Sequence, residues 1–415
     1  MREMKDSGVE WIGEIPVSWQ ILTIGSVFKV RNEKVNDTDY PPLSVAKGGV
    51  VPQMENVAKS DANDNRKMVL SNDFVINSRS DRKQSCGVSP MDGSVSLINT
   101  VLYPANGAPV IPAYLNYLLK NYGFAEEFYR WGHGIVADLW TTRWQEMKSI
   151  LLPIPSMGEQ QQILEAISEK TDKVDTLIAN VKAQIEKLKA YRQSVITEVV
   201  IKGLDPTVPM KDSGVEWIGE IPAAWDTVRV KQLLRERKER SAEGKEEPLS
   251  MSQKVGLVPT KTLDAIPNPA SSYVGAKLAF VNDLVFNKLK AHLGVFSVSK
   301  YDGLVSPDYA VYYSTGVVDL KYLEYLFKTP QCISEFSKRS TGIAAGLTRL
   351  YTDGLFAIEC PLPPKDEQQA IVAYLDEKWT QIDRLIAIKQ AKIEKLEQYK
   401  RSLIYEYVTG KREVV

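Results

Sequence analysis

Basic and amide side chains concentrate in one polar stretch of the first half of the chain. Arg79, Arg82, Lys83 and Gln84 follow the apolar run Phe74-Val75-Ile76, and such a run is typical of a β-strand. Arginine, lysine and glutamine suit contacts to DNA phosphates and paired hydrogen bonds to base edges. These residues therefore predict a DNA-contacting loop after a strand. The alternative is an ordinary solvated loop.

The second half of the chain has a comparable set at the corresponding place, Lys288, Lys290 and His292. A second candidate loop in each half follows a shared Gly-Ile pair. Its side chains differ between the halves, and the candidates are Thr141, Thr142, Arg143, Thr348, Arg349 and Tyr351. Small, basic and aromatic residues on a loop after a helix can enter a DNA groove. Trp140 and Trp144 flank the first of these loops, and we expect Trp144 to pack in the core.

Motifs of common catalytic and cofactor sites are absent from the sequence. There is no GxxxxGK[ST] loop, no GxGxxG between a strand and a helix, and no G-x-S-x-G elbow. The two histidines, His133 and His292, have no cysteine pair near them that would complete a zinc site. Asn268-Pro269 lacks the second proline and the aromatic residue of a methyltransferase-like N-P-P motif. We therefore expect a non-catalytic chain with no metal or cofactor of its own.

The composition is that of an ordinary globular protein. The 415 residues include 52 basic and 52 acidic ones, so the net charge is zero. This balance counts mildly against DNA binding without excluding it, because affinity depends on where the charge lies. Three cysteines without metal-ligand spacing are expected to be reduced thiols. With no signal-peptide core and no long apolar run, the sequence predicts a cytoplasmic protein without a membrane span.

The elements that must position these loops occur twice. MKDSGVEWIGEIP stands at residues 4–16 and again, letter for letter, at residues 210–222, and each copy is followed by a tryptophan, Trp19 or Trp225. A repeat of this length indicates duplication of a whole domain with its linker. Because both copies are identical, they are unsuited to reading two different targets. We expect Trp11, Trp19, Trp217 and Trp225 to be packing anchors between domain and helix.

Each opening motif precedes a mixed segment with short strands and helices. In the first copy, loose alternation predicts a strand over Ile21–Arg31. Apolar segments that follow turn residues predict two more strands, Phe74–Ile76 and Val95–Tyr103. Apolar residues at helical spacing predict a helix over Tyr114–Tyr129. The second copy repeats this order.

A long helix is predicted after each mixed segment, from Ser156 to about Val200 and from Asp366 to Val408. Ser156 and Glu159 form a capping-box pattern, and about 43 residues correspond to a rod of about 65 Å. Apolar residues at alternating spacings of four and three form a heptad seam in each helix: Val174, Ile178, Val181, Ile185, Leu188, Val195, Ile382, Ile386, Ile393, Leu396 and Leu403. Arg192, Lys389 and Lys400 also fall in the seam, where they must snorkel or meet carboxylates.

These elements predict a mixed α/β (α+β) fold with two repeated domains, each followed by a long helix, and the helices pairing as an antiparallel coiled coil. The expected domains are residues 1–152, 153–205, 206–360 and 361–415, where the second and fourth are helical. The halves agree at scaffold positions at an offset of 208, for example Tyr114 with Tyr322 and Gly134 with Gly342, and they differ elsewhere. Two divergent surfaces on one scaffold favour the reading of two targets. The alternative is drift after duplication.

In three features the chain resembles the specificity subunits of type I restriction–modification enzymes. They are the D-S-G-V-E-W-I-G-E-I-P opening, the P-x-P-x-x-x-E-Q entry to each long helix (Pro153 to Gln160, Pro361 to Gln368), and the V-T-G-K end at Val408 to Lys411. The resemblance implies that each mixed domain is a target recognition domain for one half of a bipartite, asymmetric DNA site. It also implies that the helices set the gap between half-sites.

Further implications of the resemblance concern partners. Two modification subunits would dock on the helices, carry S-adenosylmethionine and methylate adenine, and restriction subunits would bring ATP and Mg²⁺. The resemblance carries over no base-contacting residues, because the family has no fixed motif for them. The alternatives are a duplicated scaffold that binds two proteins and a duplicated nuclease, which the missing catalytic motifs disfavour.

Overall fold

A computed structural model describes residues 2–53, 64–79, 83–134, 140–253, 255–263, 272–342 and 348–414. Arg82, Asn268-Pro269 and residues 54–63 lie outside the described residues. The chain divides into two units: the first unit is Met1–Lys182 with Gln390–Val415, and the second unit is Ala183–Lys389. Each unit therefore combines one mixed domain with parts of both long helices.

The first unit contains thirteen short strands in the part of the chain that is described. They are β1 Met4–Asp6, β2 Glu14–Pro16, β3 Gln20–Thr23, β4 Phe28–Val30, β5 Lys34–Val35, β6 Leu43–Ala46, β7 Gly49–Pro52, β8 Arg66–Val69, β9 Phe74–Asn77, β10 Cys86–Val88, β11 Gly93–Val95, β12 Asn99–Pro104 and β13 Leu151–Ile154. Its helices are α1 Ile24–Val27, α2 Pro112–Leu118, α3 Tyr122–Arg130, α4 Trp144–Met147 and the first part of α5 Met157–Lys202. The sheets are antiparallel, with orders β10-β9-β12-β4 and β11-β8-β5.

The second unit repeats this order. Its strands are β14 Met210–Asp212, β15 Glu220–Pro222, β16 Asp226–Arg229, β17 Leu234–Glu236, β18 Leu249–Ser252, β19 Gly256–Pro259, β20 Lys277–Ala279, β21 Leu284–Asn287, β22 Phe296–Val298, β23 Gly303–Val305, β24 Tyr309–Ser314 and β25 Glu359–Leu362. Its helices are α6 Val230–Leu233, α7 Leu320–Phe327, α8 Pro330–Arg339, α9 Thr352–Phe356 and the first part of α10 Lys365–Val408, with short 3₁₀ turns at Thr260–Thr262 and Ala291–Leu293. The main sheet has the order β17-β24-β21-β22, which matches that of the first unit.

Two predicted strands are wrong in extent. The segment Ile21–Arg31 is split into β3 and β4 by the helical turn α1, because the Thr23 hydroxyl accepts a hydrogen bond from Ser26 N and starts that turn. The segment Val95–Tyr103 is split into β11 and β12. There the Asn99 side chain and backbone both donate to Ser96 O, which bends the chain between the two strands.

The predicted helix Tyr114–Tyr129 is also two helices, α2 and α3. Asn121 has extended backbone angles, and its side-chain oxygen accepts a hydrogen bond from Phe124 N at 3.0 Å. An asparagine that caps a helix in this way ends the continuity of the preceding one. The strand predicted at Phe74–Ile76 is confirmed as β9.

Both long helices are confirmed, and they pack against each other in antiparallel register. Lys400 pairs with Asp175 at 2.6 Å in the first unit, and Arg192 pairs with Asp383 at 2.9 Å in the second. In both pairs the two residue numbers add to the same value. Residue numbers therefore rise along one helix as they fall along the other, so the helices are antiparallel. The seam residues of both helices are buried or half-buried. Within the described residues, none of the helices has the length and apolarity to cross a membrane.

The opening motif forms a hairpin, β1 with β2, that lies against helix ends within the first unit. The buried indole of Trp19 donates a hydrogen bond to Glu159 Oε2 in the first turn of α5 at 2.9 Å. Its ring edge faces Gly410, which follows the end of α10. Ser156 caps α5 through its side chain, but the Glu159 carboxylate binds Trp19 and Arg2.

The second unit has the same anchor. Trp225 donates a hydrogen bond to Glu367 Oε2 of α10 at 2.7 Å, and Gly203, which follows the end of α5, lies against Trp225 and Pro222. The anchor explains why the opening motif is identical in both copies, because both copies contact equivalent helix ends.

Candidate nucleic-acid interface

The two candidate loops of the first unit adjoin each other. At the end of β9, the Asn77 side chain accepts a hydrogen bond from Arg79 N at 3.0 Å and turns the backbone. Thr142 N then donates to Ser78 O at 3.0 Å, and Arg79 forms an isolated antiparallel bridge with Thr141. Residues 78–79 and 141–143 are called the first loop pair below.

The second unit builds its loops in the same way. At the end of β21, the Asn287 side chain accepts a hydrogen bond from Leu289 N at 3.1 Å. Leu350 N donates to Lys288 O at 3.0 Å, the counterpart of the bond between Thr142 and Ser78. Residues 288–290 and 348–351 are called the second loop pair below. The sequence predicted four separate loops, and the structure joins them into two equivalent pairs.

Several predicted side chains of the first unit are accessible. Arg79 and Arg143 are exposed, Gln84 is half-buried with a left-handed φ of 62°, and Thr141 is half-buried. Lys83 is held on α3, because its Nζ lies 2.9 Å from Glu126 and 4.2 Å from the centre of the Tyr129 ring. Arg79 and Arg143 are therefore the side chains best placed to reach a polyanion.

Thr142 is a correction to the prediction. Its side chain is only 2% exposed, and its hydroxyl donates to Phe128 O at 2.7 Å. A hydroxyl that is buried and already bonded cannot contact DNA, so Thr142 positions the loop. Trp140 has a similar role, since its indole donates to Tyr129 O and stacks on the Tyr129 ring. Trp144 packs partly buried against the core, as expected.

In the second unit, Lys290 is exposed and Tyr351 is half exposed. Lys288 and Thr348 are half-buried, and the Arg349 guanidinium lies 3.5 Å from Asp308, a distance at which it can exchange partners. His292 is half-buried, and its Nδ1 is buried without a hydrogen-bond partner among the described residues. The second loop pair thus presents lysines and a tyrosine besides its threonine and arginine, where the first presents two arginines and a threonine.

The cores beneath the two loop pairs differ as well. Phe286, Phe296, Phe327 and Phe336 form one aromatic cluster in the second unit, with ring centres 4.5 to 6.3 Å apart. The aligned positions of the first unit hold Ile76, Cys86, Leu119 and Phe128, and a cavity of about 20 Å³ lies there. Burial raises the pKa of the Cys86 thiol to about 12, so this cysteine stays protonated.

Sequence reasoning missed a basic cleft in each unit, although two predicted residues, Gln84 and His292, line these clefts. In the first unit the cleft lies beside α2 and the last part of α10, and in the second beside α7 and the last part of α5. The available signal was the repeated Tyr-x-x-Lys of Tyr117 with Lys120 and of Tyr325 with Lys328. No group of three or more potential metal ligands occurs among the described residues.

The fold and the loops define a duplicated protein in which each unit presents an equivalent pair of candidate loops on the same scaffold. Two chains of known structure share this fold. One, from work described as the structural basis of complex assembly and conformational transition of the type I R-M system, matches with a TM-score of 0.68 and 17% identity over 96% of this chain and 99% of that one. The other, the HsdS subunit from Thermoanaerobacter tengcongensis, has a TM-score of 0.51 and 18% identity over 98% of this chain and 100% of that one.

Two curated relatives are named as type I restriction enzyme specificity subunits. The putative type I restriction enzyme MjaX specificity subunit of Methanocaldococcus jannaschii is 24% identical over 430 residues, which cover 96% of this chain and 95% of that protein. The type I restriction enzyme MjaVIII specificity subunit of the same organism is 25% identical over 280 residues, 64% of this chain and 62% of that protein. No protein-family model matches the sequence. The chain is thus similar over almost its whole length to a protein named a type I restriction enzyme specificity subunit, in agreement with the resemblance of its sequence motifs, and its predicted fold class is confirmed.

Proposed function

We propose that this chain is the non-catalytic DNA sequence-specificity subunit of a type I restriction–modification enzyme. Each unit reads one half of a bipartite, asymmetric site through its loop pair. The observation that carries this proposal is the equivalent backbone bond in both units, from Thr142 to Ser78 and from Leu350 to Lys288, beneath different exposed side chains. One scaffold that presents two side-chain sets is suited to reading two sequences.

The chemistry of the loop pairs supports DNA over a neutral ligand. Arg79 and Arg143 can form paired hydrogen bonds with guanine O6 and N7 or with phosphate, and Lys290 supplies a point charge. Tyr351, half exposed, can contact sugar or base surfaces. The specificity-subunit names of the curated relatives agree with this role.

An exposed pair of apolar side chains on the helices supports the docking of partner subunits. Leu177 and Tyr399 are 47% and 50% exposed in the first unit, and Leu385 and Tyr191 are 46% and 53% exposed in the second. All four occupy the same heptad position, which flanks the seam. In an antiparallel coiled coil, this position on one helix lies opposite the same position on the other helix. Each unit therefore presents one Leu–Tyr pair at one level of the helices, and exposed apolar pairs mark interaction sites.

We infer that each Leu–Tyr pair docks one modification subunit, so that the complex holds two of them. In this proposal S-adenosylmethionine is carried by the modification subunits. Restriction subunits, where present, carry ATP and Mg²⁺. This chain then contributes position and sequence choice, and adenine methylation is the partners' chemistry.

Replacing both members of one pair with serine tests the docking proposal. Leu177→Ser with Tyr399→Ser should reduce the number of bound modification subunits from two to one, as measured by native mass spectrometry. Tyr191→Ser with Leu385→Ser should do the same. Val281→Ser, at an exposed turn position of the mixed domain, is the control and should leave two subunits bound. Two subunits on every variant would contradict the docking proposal.

The alternative function is a duplicated, non-enzymatic scaffold for two protein partners. Charge reversal at Arg79 and Arg143 together with Lys288 and Lys290 separates the two functions. DNA reading predicts that the assembled complex loses its affinity for duplex DNA while keeping its subunit composition. Unchanged DNA affinity in a correctly assembled complex would favour the scaffold.

A further inference from the structure

A basic cleft in the second unit is formed by α7, the tip of the β18–β19 hairpin and the last part of α5. Its volume is about 710 Å³, and the described residues that line it include five cations and one carboxylate. The whole chain has zero net charge. The excess of positive charge is therefore local, and a cleft lined by one sign of charge concentrates ligands of the opposite sign.

The charges inside this cleft are only partly neutralised. Arg192 pairs with Asp383 at 2.9 Å, and Lys189 pairs with the exposed Glu186 at 2.8 Å. The three other cations have one carboxylate between them. The carboxylate, Glu324, is 2% exposed and lies between Lys321 at 2.9 Å and Lys328 at 2.5 Å, so one anion serves two cations. Burial alone would raise the pKa of Glu324, but Lys328 and Lys321 outweigh it and lower that pKa, which keeps Glu324 ionised. Lys300 is exposed at the rim, and no ion pair among the described residues involves it.

The aromatic groups of the cleft are not free to stack on a nucleobase. The Arg192 guanidinium lies 4.2 Å from the centre of the Trp379 ring, and Tyr325 packs against the same ring at 5.1 Å. The Tyr325 hydroxyl donates to Asp376. The cations that can still bind a ligand are lysines on different elements. Lys300 has no ion pair among the described residues, and the exposed pair of Lys189 with Glu186 is weak enough to be exchanged for a phosphate contact. Such separated point charges suit a string of phosphates better than one compact nucleotide.

The first unit has an equivalent cleft that is lined by different residues. It is lined by Lys47, Lys120 and Arg401, has a volume of about 300 Å³, and has no carboxylate among the described lining residues. Tyr117 and Lys120 occupy the positions of Tyr325 and Lys328. No described ion pair involves Lys47 or Arg401. The positive charge is therefore kept in both units although most individual residues differ.

We propose that each cleft holds a stretch of the DNA sugar–phosphate backbone and positions the duplex without reading its sequence. This inference rests on the proposed DNA-reading function. It adds a contact region whose lining residues belong to neither loop pair. Phosphate contacts of this kind fix register and orientation, while loops that reach base edges supply specificity. A basic cleft in each unit gives each half-site its own backbone clamp.

Salt dependence of DNA binding by the assembled complex with modification subunits tests the proposal. The variants are Lys189→Gln with Lys300→Gln in the second cleft, and Lys47→Gln with Arg401→Gln in the first. Lys321 and Lys328 are left intact because they neutralise buried Glu324. Lys211→Gln with Lys245→Gln is the matched control, since both lysines are exposed and lie outside the clefts.

Each cleft pair should lower the slope of log affinity against log salt by up to about 1.8, since each phosphate contact contributes about 0.9. The loss should be equal on DNA with the methylated motif and on scrambled DNA, and the control should match the wild type. The motif found by sequencing methylated DNA should not change.

Wild-type slopes in both cleft variants would overturn the proposal while leaving the DNA-reading function in place. Loss of a modification subunit with an unchanged slope would also overturn it, and would assign the cleft to an acidic segment of that partner. If the wild-type complex binds neither DNA, the proposed function itself fails, and the cleft proposal fails with it.

Discussion

The contact between the end of α10 and the opening hairpin leads to a quantitative prediction for Gly410. This residue has a left-handed φ of +76°, and a methyl group there would overlap Pro16 Cδ and lie 3.2 Å from the Trp19 ring. The backbone conformation costs an alanine about 1–2 kcal/mol. Overpacking against a proline and a buried tryptophan adds about 1–3 kcal/mol. Gly410→Ala should therefore lower the free energy of unfolding by about 2–5 kcal/mol.

Two other glycines of the same unit separate these causes. Gly8 has a φ of +68° with open space around it, so Gly8→Ala should cost only the backbone strain of about 1–2 kcal/mol. Gly158, in the first turn of α5, does not have a positive φ, and an added methyl group there would have no atom within 4 Å among the described residues. Gly158→Ala should therefore be neutral or stabilising by up to about 1 kcal/mol. Urea unfolding followed by tryptophan fluorescence measures all three. A Gly410→Ala variant no less stable than Gly8→Ala would refute the packing of α10 on the hairpin.

Three further predictions concern the second unit, the first loop pair and the helices. Glu324→Gln should cost about 1.5–3 kcal/mol at neutral pH. Folding lowers the pKa of Glu324 below its ordinary 4.5. The carboxylate therefore stabilises the fold above pH 4.5, and this stabilisation is lost as the pH falls through the pKa of the folded state. The urea midpoints of variant and wild type should therefore converge in acid. Thr142→Val should cost about 1–2 kcal/mol in urea unfolding and leave the methylated motif unchanged, because its hydroxyl serves Phe128 O; an altered half-site would contradict this. One heptad inserted after Lys182 and another after Lys389 should lengthen the DNA spacer between the two half-sites by about three base pairs, because seven residues add about 10.5 Å to each helix. Sequencing of methylated DNA should show the longer spacer with both half-sites unchanged. An altered half-site would contradict the modular arrangement.

The long helices could be predicted because their signals are local and repeated. The seam from Val174 to Val195 and the glycine after each helix specify period and end without knowledge of the rest of the fold. The identical opening motifs likewise indicated a common packing role. The structure shows that role in the bonds from Trp19 to Glu159 and from Trp225 to Glu367.

The mixed domains were harder to predict because single polar side chains break their elements. Thr23, Asn99 and Asn121 each bond to nearby backbone and interrupt a segment whose apolar spacing continues beyond them. A pattern of apolar residues does not register such interruptions. Local side-chain bonding therefore prevailed over periodicity at all three places.

The candidate interface could be predicted in part. The exposed arginines and lysines were found from residue type, but the burial of Thr142 depends on Phe128, which lies on another element. The basic clefts were missed because Lys47, Lys120 and Arg401 are distant in sequence and meet only when α10 returns to the first unit. The repeated Tyr-x-x-Lys is the local part of this signal, and the other cations of each cleft come from elements that are distant in sequence.

Sequencing of methylated DNA from a host that carries this chain and its modification partner tests the central claim most directly. The measurement compares the wild type with Lys288→Ala and Lys290→Ala combined. The wild type should methylate one asymmetric, bipartite motif, and the variant should lose or relax one half of that motif while the other half stays the same. A single undivided motif, or a change in both halves, would contradict the assignment of one half-site to each unit.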